Sequence, residues 1–375
     1  MTTVDAVETG LLERVQALPT SGARAALPFT LDGELVLAVA QLAADNAGEP
    51  PYLNGGNSDV GLPLFRFCDG RFQPWQALPV SGGEDVEFFR IGARSFLATA
   101  SLRTGERAPY RLEVESTIYE WRDGAFTPFQ RIATYAAKQW RHVVLGGRHF
   151  LALAQGVVID GAPPTRAYPS TIYEWDGAMF RPFATVPSAW GYNWLHFVVA
   201  GVDFLAYADH AAPSLIRRWD GRAFAPVQTL AGDSGRAFTF FQADGDAFLV
   251  FANLQGETQL HRWQDDRFVA VQTLSGAGGR ELTTFVAGGQ RYVVQANFLT
   301  GSPKAPTTAL RSVIYRWQRG ALVVEATFPT CGATDVASFV VGRQRYLVVA
   351  ESLSADVRFA TDSHVYKFGP LQNEE

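Results

Sequence analysis

Short apolar runs of strand character follow one another along the whole chain, and they come in sets of four. In one set they occupy residues 116–121, 126–132, 140–145 and 149–155, separated by Asp123-Gly124, Thr134-Tyr135-Ala136-Ala137 and Gly146-Gly147. Asp-Gly and Gly-Gly between apolar runs predict two-residue hairpins, because those residues accept the positive φ such turns need. The set therefore predicts a four-stranded antiparallel meander. Its signature, Ile118-Tyr119-Glu120-Trp121 followed by Asp-Gly, returns at Phe67, Trp175, Trp219, Trp263, Trp317 and, cut short, Phe368, with steps of 54, 54, 44, 44, 54 and 51 residues. A period in that range predicts a ring or solenoid of repeats rather than one irregular core.

Proline phases the repeat. Pro74, Pro128, Pro182 and Pro226 all sit in the run after the Asp-Gly turn, and a residue with no amide hydrogen belongs on a sheet edge. Runs such as Phe150-Leu151-Ala152-Leu153-Ala154 are apolar at every position, which places them mid-sheet with neighbouring sheets on both faces. The last unit lacks its edge strand, and residues 12–18 match an orphan edge strand. The expected fold is all-β: a seven-bladed β-propeller of four-stranded antiparallel blades, closed by the N-terminal strand completing the last blade. Residues 1–375 are read as a single domain, with blades near 24–79, 84–132, 138–187, 193–231, 236–275, 280–329 and 334–368 plus 11–18.

Composition narrows the function. A formal charge of −5 supplies no basic field for phosphates, so nucleic acid is not an expected partner. No run approaches the roughly 18 apolar residues of a membrane helix, and the amino end lacks the basic start and apolar stretch of a secretion signal. Cys68 and Cys331 fall in different repeats, and only three of the 32 basic residues are lysines. A cytoplasmic bacterial monomer is the expectation, with no cofactor, because no nucleotide or zinc motif is present.

The elements Ile-Tyr-X-Trp, Phe-X-Pro-X-Gln-X-Leu, Ser/Thr-X-Gly-Ala and Gly-Gly-X-X-Tyr-Leu-Val-Val-Ala-Asn resemble the epilepsy-associated repeat, also called the EAR or EPTP repeat. Residues 330–335 with Gln344-Arg345-Tyr346-Leu347-Val348-Val349-Ala350 form a close instance. The resemblance covers nearly all of the chain and implies a seven-bladed propeller. It also implies a receptor-ligand or adhesion module of secreted animal proteins, signals for which this chain does not carry.

Structural positions should look alike in every repeat, so candidate sites are sought where the repeats differ. Ten- to twenty-residue loops are expected in five blades, at 43–61, 103–115, 157–169, 299–311 and 353–362, and minimal turns in blades 4 and 5. These loops would wall the face that carries the blade-to-blade links. The third link leads into Lys138-Gln139-Trp140-Arg141-His142 and the fourth into Tyr192-Asn193-Trp194-Leu195-His196, so Trp140 aligns with Trp194 and His142 with His196. Two readings stand. Tyr135, Trp140, Trp190 and Trp194 line an aromatic pocket at the link-face mouth, with Arg236, Arg280, Glu84 and Asp85 around it, or the tryptophans fill the wedge between blades. Glu281 and Asp335, in register on adjacent blades, are weak candidates for a hard cation; no metal is otherwise expected. The pocket's expected guest is a small apolar or aromatic molecule, or a peptide segment. The alternative is a cofactor-independent enzyme of cyclase or isomerase type acting on an apolar secondary metabolite, with His142, His196, Lys138 and Tyr192 moving or stabilising protons.

Overall fold

The computed structural model describes residues 10–157 and 167–369. Seven four-stranded antiparallel sheets make up the ring, and one extra two-stranded hairpin, Thr300–Ser302 with Ala305–Thr307, rises from blade 6. The inner strands, in blade order, are Ala23–Leu31, Gly83–Ile91, Gln139–Leu145, Gly191–Val199, Gly235–Ala243, Gly279–Ala287 and Ala333–Val341. Closure is as expected: the N-terminal strand Leu12–Leu18 pairs antiparallel with Ser363–Phe368 as the outer strand of blade 7, with Leu12 opposite Phe368 and Leu18 opposite Ser363.

The repeated motif residues each have a mechanical task. Asp32-Gly33, Asp69-Gly70, Asp123-Gly124 and Asp244-Gly245 have positive φ at both residues, the geometry of a two-residue hairpin whose twist matches its strands. The prolines sit where the third and outer strands slip register: Pro74 faces Phe65 and Pro128 faces Tyr119 beside a bulge, a position that needs no ladder amide. In four outer strands a glutamine two places past the proline position clasps the next blade. Gln130 donates to the Phe180 carbonyl at 2.8 Å and accepts from its amide at 2.9 Å, and Gln16, Gln228 and Gln272 do the same to Phe72, Phe268 and Leu322. Trp121 and Trp317 donate their indole N–H to Asp32 and Asp244 in the turns of the preceding blades. The second strands are buried on both faces, as their unbroken apolar runs require.

Long loops leave blades 1, 2, 6 and 7 on the face of the blade-to-blade links, while blades 4 and 5 turn tightly between Asp209 and Ser214 and between Asn253 and Thr258. Residues 158–166, the middle of the loop expected in blade 3, lie outside the described residues. The link glycine of the Ser/Thr-X-Gly-Ala element is required twice over. Gly22, Gly82 and Gly332 have φ of 56°, 52° and 51°, and a Cβ on Gly82 would stand 2.4 Å from the Arg103 carbonyl oxygen.

Candidate functional site in the central channel

Just past each link, six of the seven inner strands carry a β-bulge. The ladder skips one residue between Ala23 and Ala25, Gly83 and Asp85, Gly191 and Asn193, Gly235 and Ala237, Gly279 and Glu281, and Ala333 and Asp335. The skipped residues are Arg24, Glu84, Tyr192, Arg236, Arg280 and Thr334, and Lys138 takes the same place immediately before the strand of blade 3. A bulge re-aims one side chain without disturbing the packing of its neighbours. Repeated around the ring, it gathers one tier of side chains from all seven blades at the inner end of the channel.

That tier is charged and buried. Lys138 Nζ lies 2.8 Å from a Glu84 carboxylate oxygen, with Arg24 at 3.6 Å and Arg280 at 3.9 Å from the same group, and each of these side chains is at least 91% buried. Tyr192 is the platform between them: the Arg236 guanidinium sits 3.9 Å from its ring centre, with Lys138 and Arg280 each at 4.9 Å. Arg236 also approaches His210 Nδ1 at 2.7 Å. Four cations thus face one carboxylate. Burial works against every charge here. It lowers Lys138 and brings Arg236 down to about 10, and, with Arg236 alongside, drops His210 to about 3, so that imidazole is neutral. Burial also opposes ionisation of Tyr192, yet Arg236, Lys138 and Arg280 outweigh it and bring the phenol down to about 8.

One residue further along each strand lies a carboxylate-rich tier. Asp85 accepts from the Trp140 amide at 2.9 Å and Asp335 from the Ala26 amide at 2.7 Å, stitching neighbouring inner strands together. Burial raises Asp85 to about 7 and, with the Asp335 charge beside it, Glu281 to about 8; Asp335 is raised as well, chiefly by burial. Beyond them Arg141 pairs with Glu87 at 3.4 Å. These tiers line a cavity of about 230 Å³, which meets a wider vestibule of about 460 Å³ reaching from Glu87 and Arg141 to His196, Phe240 and Thr284. Exposure locates the entrance. The ring Pro28, Phe88, His142, His196, Phe240, Thr284 and Ser338, nearest the hairpin turns, is half-buried in all seven blades. At the other end Leu42, Leu102, Leu254, Phe298, Leu353 and Phe359 form one buried apolar cluster. The channel is roofed on the link face and open on the hairpin face.

This geometry redistributes the sequence candidates. Lys138, Tyr192, Arg236, Arg280 and Glu84 do come together, with Asp85, Glu281 and Asp335 one step below. Trp140 and Trp194 do not line a pocket: both have no exposed surface, with Trp140 donating to the Thr99 carbonyl and Trp194 packed on Tyr207. They fill the wedge between blades because their positions alternate away from the bulge. Tyr135 is buried in the roof against Tyr168, and Trp190 packs there over His210 and Tyr192. The expectation of an open aromatic pocket on the link face is therefore corrected: the large side chains placed there close it. His142 and His196 lie at the opposite mouth and are not paired with each other. His142 bonds His149 at 3.1 Å and is lowered to about 4 by burial, with His149 adding to the shift, while His196 bonds Asp203 at 2.8 Å. Among the described residues no three His, Cys, Asp or Glu side chains converge as metal ligands. Sequence reasoning missed His210 as a site residue, and it sits in a short turn outside the repeat motif. It also missed Arg141 and Glu87, although alignment of the inner strands places them at one level.

The EPTP domain family matches six segments, residues 71–122, 125–176, 179–220, 223–264, 267–318 and 326–368. The chain belongs to the EPTP family. Each of the first five family units begins on the outer strand of one blade and ends on the third strand of the next, so each repeat stitches two blades and the N-terminal strand must close the ring. The chain is similar to the thrombospondin-type laminin G domain and EAR repeat-containing proteins of Homo sapiens and Mus musculus, 29% and 28% identical over 162 residues. That stretch is 42% of this chain and 23% of those proteins, so the chain matches under a quarter of their length. Among solved structures, the WD40 β-propeller domain of Doa1 superimposes with a TM-score of 0.54 at 11% identity, over 95% of this chain and 96% of that one. That likeness concerns the fold.

Proposed function

We propose that this EPTP propeller is a recognition module whose ligand, a small organic molecule or the end of a peptide segment, enters the channel from the hairpin face and rests on the Tyr192 tier. The observation that carries this is the set of buried cations Arg24, Lys138 and Arg280, which share the single carboxylate of Glu84 at the inner end of the cavity, with Arg236 stacked on the Tyr192 ring beside them. Burying like charges together is unfavourable by several kcal/mol per ion, and apolar side chains of similar size would serve stability better. Binding a partner accounts for their presence where packing does not. A peptide guest agrees with the protein-interaction role that propeller scaffolds of this type commonly serve. The arginine-heavy composition and the exposed thiol of Cys68 suit the reducing interior of a bacterial cell, which forms part of the same proposal.

Thermal-shift screening of short peptides and small organic acids tests it, comparing the protein with a Thr283→Trp variant, whose side chain plugs the passage between cavity and vestibule. Stabilisation present in the parent and lost in the variant supports the reading. Stabilisation that survives the plug overturns it.

A second reading, catalysis without a cofactor on an apolar metabolite, is favoured by one observation. A phenol near 8 stands beside Lys138, with carboxyl groups near 7 and 8 one register step away, and acids and bases whose ionisation is pushed toward neutrality in one cavity are what proton transfer requires. The histidines at the vestibule are too far along the strands to share that role. Turnover abolished by Tyr192→Phe with binding retained would distinguish catalysis from recognition.

A further inference from the structure

We propose that the channel takes a compact dianionic head group, a phosphomonoester or a dicarboxylate, seated against Arg24, Lys138, Tyr192 and Arg280, with Arg236 stacked on the Tyr192 ring. The proposal rests on the recognition reading above and specifies its ligand chemistry.

The four cations come from blades 1, 3, 5 and 6, so positive charge surrounds the channel axis rather than lining one wall. Glu84 is the one carboxylate among them, held by Lys138 at 2.8 Å. Of the four, Arg24, Lys138 and Arg280 line the cavity and exceed Glu84 by two charges, so a monoanion leaves one of them uncompensated and a dianion matches both. Donors are also in surplus. Arg24 is 93% buried and lines the cavity, and its Nε faces Glu84 Oε1 only at 3.6 Å, beyond hydrogen-bond distance, so a closer acceptor would complete its bonding. Guanidinium groups suit this task, since each presents a planar fork of N–H donors that matches the oxygens of phosphate or carboxylate.

The next tier fits the same guest. Burial disfavours the charged forms of Asp85, Glu281 and Asp335, which lessens their repulsion of an anion seated above them. Leu27, Leu195 and Ala337, half-buried between this tier and the mouth, present apolar surface to whatever carries the head group. The cavity of about 230 Å³ has room for that head and the atoms next to it, and the vestibule of about 460 Å³ takes the rest of the molecule.

Calorimetric titration of the full chain with inorganic phosphate, malonate, acetate and malonamide tests the proposal. Saturable binding is expected for phosphate or malonate, about tenfold or more weaker binding for acetate, and none for malonamide. Phosphate alone points to a phosphomonoester and malonate alone to a dicarboxylate. Arg280→Gln should weaken the dianion about tenfold or more, and Arg280→Lys, which keeps the charge, should retain most of the affinity; a matching circular dichroism spectrum confirms that both fold. Malonamide binding as tightly as malonate, no dianion binding at all, or an Arg280→Gln variant with unchanged affinity overturns the dianion assignment. If other guests then still bind and are lost in Thr283→Trp, recognition in the channel stands without it. If nothing depends on that plug, the recognition reading itself fails.

Discussion

At the start of the inner strands of blades 3 and 4, Lys138, just before its strand, and Tyr192, within its own, stand two residues before Trp140 and Trp194, and the two pairs obey opposite rules. The tryptophans point into the wedge between sheets, where every blade offers an apolar residue: Ala26, Val86, Trp140, Trp194, Phe238, Leu282 and Val336 are all buried. Their variation in size is a packing solution, in which large and small side chains interdigitate around the ring. The residues two places earlier are arginine, glutamate, lysine, tyrosine, arginine, arginine and threonine. Nothing in blade packing asks for that set, and the bulge that re-aims it removes it from the wedge. Within one strand, then, the fold holds one position for itself and releases another.

The comparison breaks first at Trp194. Replacing it with alanine should cost about 3–5 kcal/mol of stability, read from the denaturant midpoint, while any folded fraction keeps its anion affinity. A loss below about 1 kcal/mol would mean that the wedge can collapse and that packing does not dictate this position.

Glu84→Gln comes next. Removing the one carboxylate beneath Lys138, Arg24 and Arg280 leaves buried cations without a counter-charge, and a loss of roughly 3 kcal/mol is expected. Unlike the tryptophan change, this loss should be reversed by added phosphate, because an anion that binds only the folded state stabilises it in proportion to its occupancy. A Glu84→Gln variant as stable as the parent would show that the tier is better solvated than its burial indicates.

The two positions also differ in how far the sequence discloses them. The wedge, the edge prolines and the closing strand are legible because hydrophobic alternation and turn chemistry repeat seven times, and each repeat checks the others. The tier is only half legible. Aligning the links does bring Arg24, Glu84, Lys138, Tyr192, Arg236 and Arg280 to one level, but a bulge has no sequence signature here beyond the small residue before it. Without that bulge, Trp140 and His142 read as channel-facing as easily as Lys138 does. The direction of the opening is hidden for a related reason: long loops suggest a walled pocket, whereas Leu42, Leu102, Phe298, Leu353 and Phe359 pack into one buried apolar cluster on the link side.

Asp85 sharpens the contrast through pH. Burial raises its carboxyl from 3.8 to about 7, opposed by Arg141 and reinforced by Glu87 and Asp335. A raised acid stabilises the folded state fully below 3.8, and that contribution is lost as pH rises toward about 7 and stays lost above it. Asp85→Asn keeps the acceptor for the Trp140 amide and removes the titration. The variant should become more stable than the parent by roughly 2 kcal/mol at pH 8, with the difference growing between pH 4 and 7. Equal pH profiles in parent and variant would place the titration elsewhere, with Glu87, Glu281 and Asp335 the groups to examine.

The smallest expected effect reports most directly on the tier. Tyr192 is faced by Lys138 from blade 3, Arg236 from blade 5, Arg280 from blade 6, Glu84 from blade 2, Arg24 from blade 1 and His210 from its own blade. Its phenol is lowered from 10.0 to about 8, so its contribution to stability is fully present above 10 and is lost as pH falls through about 8. Phenolate absorbance should therefore show one early-titrating tyrosine, absent in Tyr192→Phe, and the variant should fail to gain the parent's extra stability between pH 8 and 10. Saturating phosphate should move this transition upward, because a bound dianion cancels the positive field that lowers the phenol. Trp194→Ala, in whatever fraction folds, should leave the transition near 8, since the wedge supplies none of that field. A tyrosine that titrates near 10 in the parent would mean that the cations do not converge on the ring, and the distinction between the two positions would reduce to one of shape.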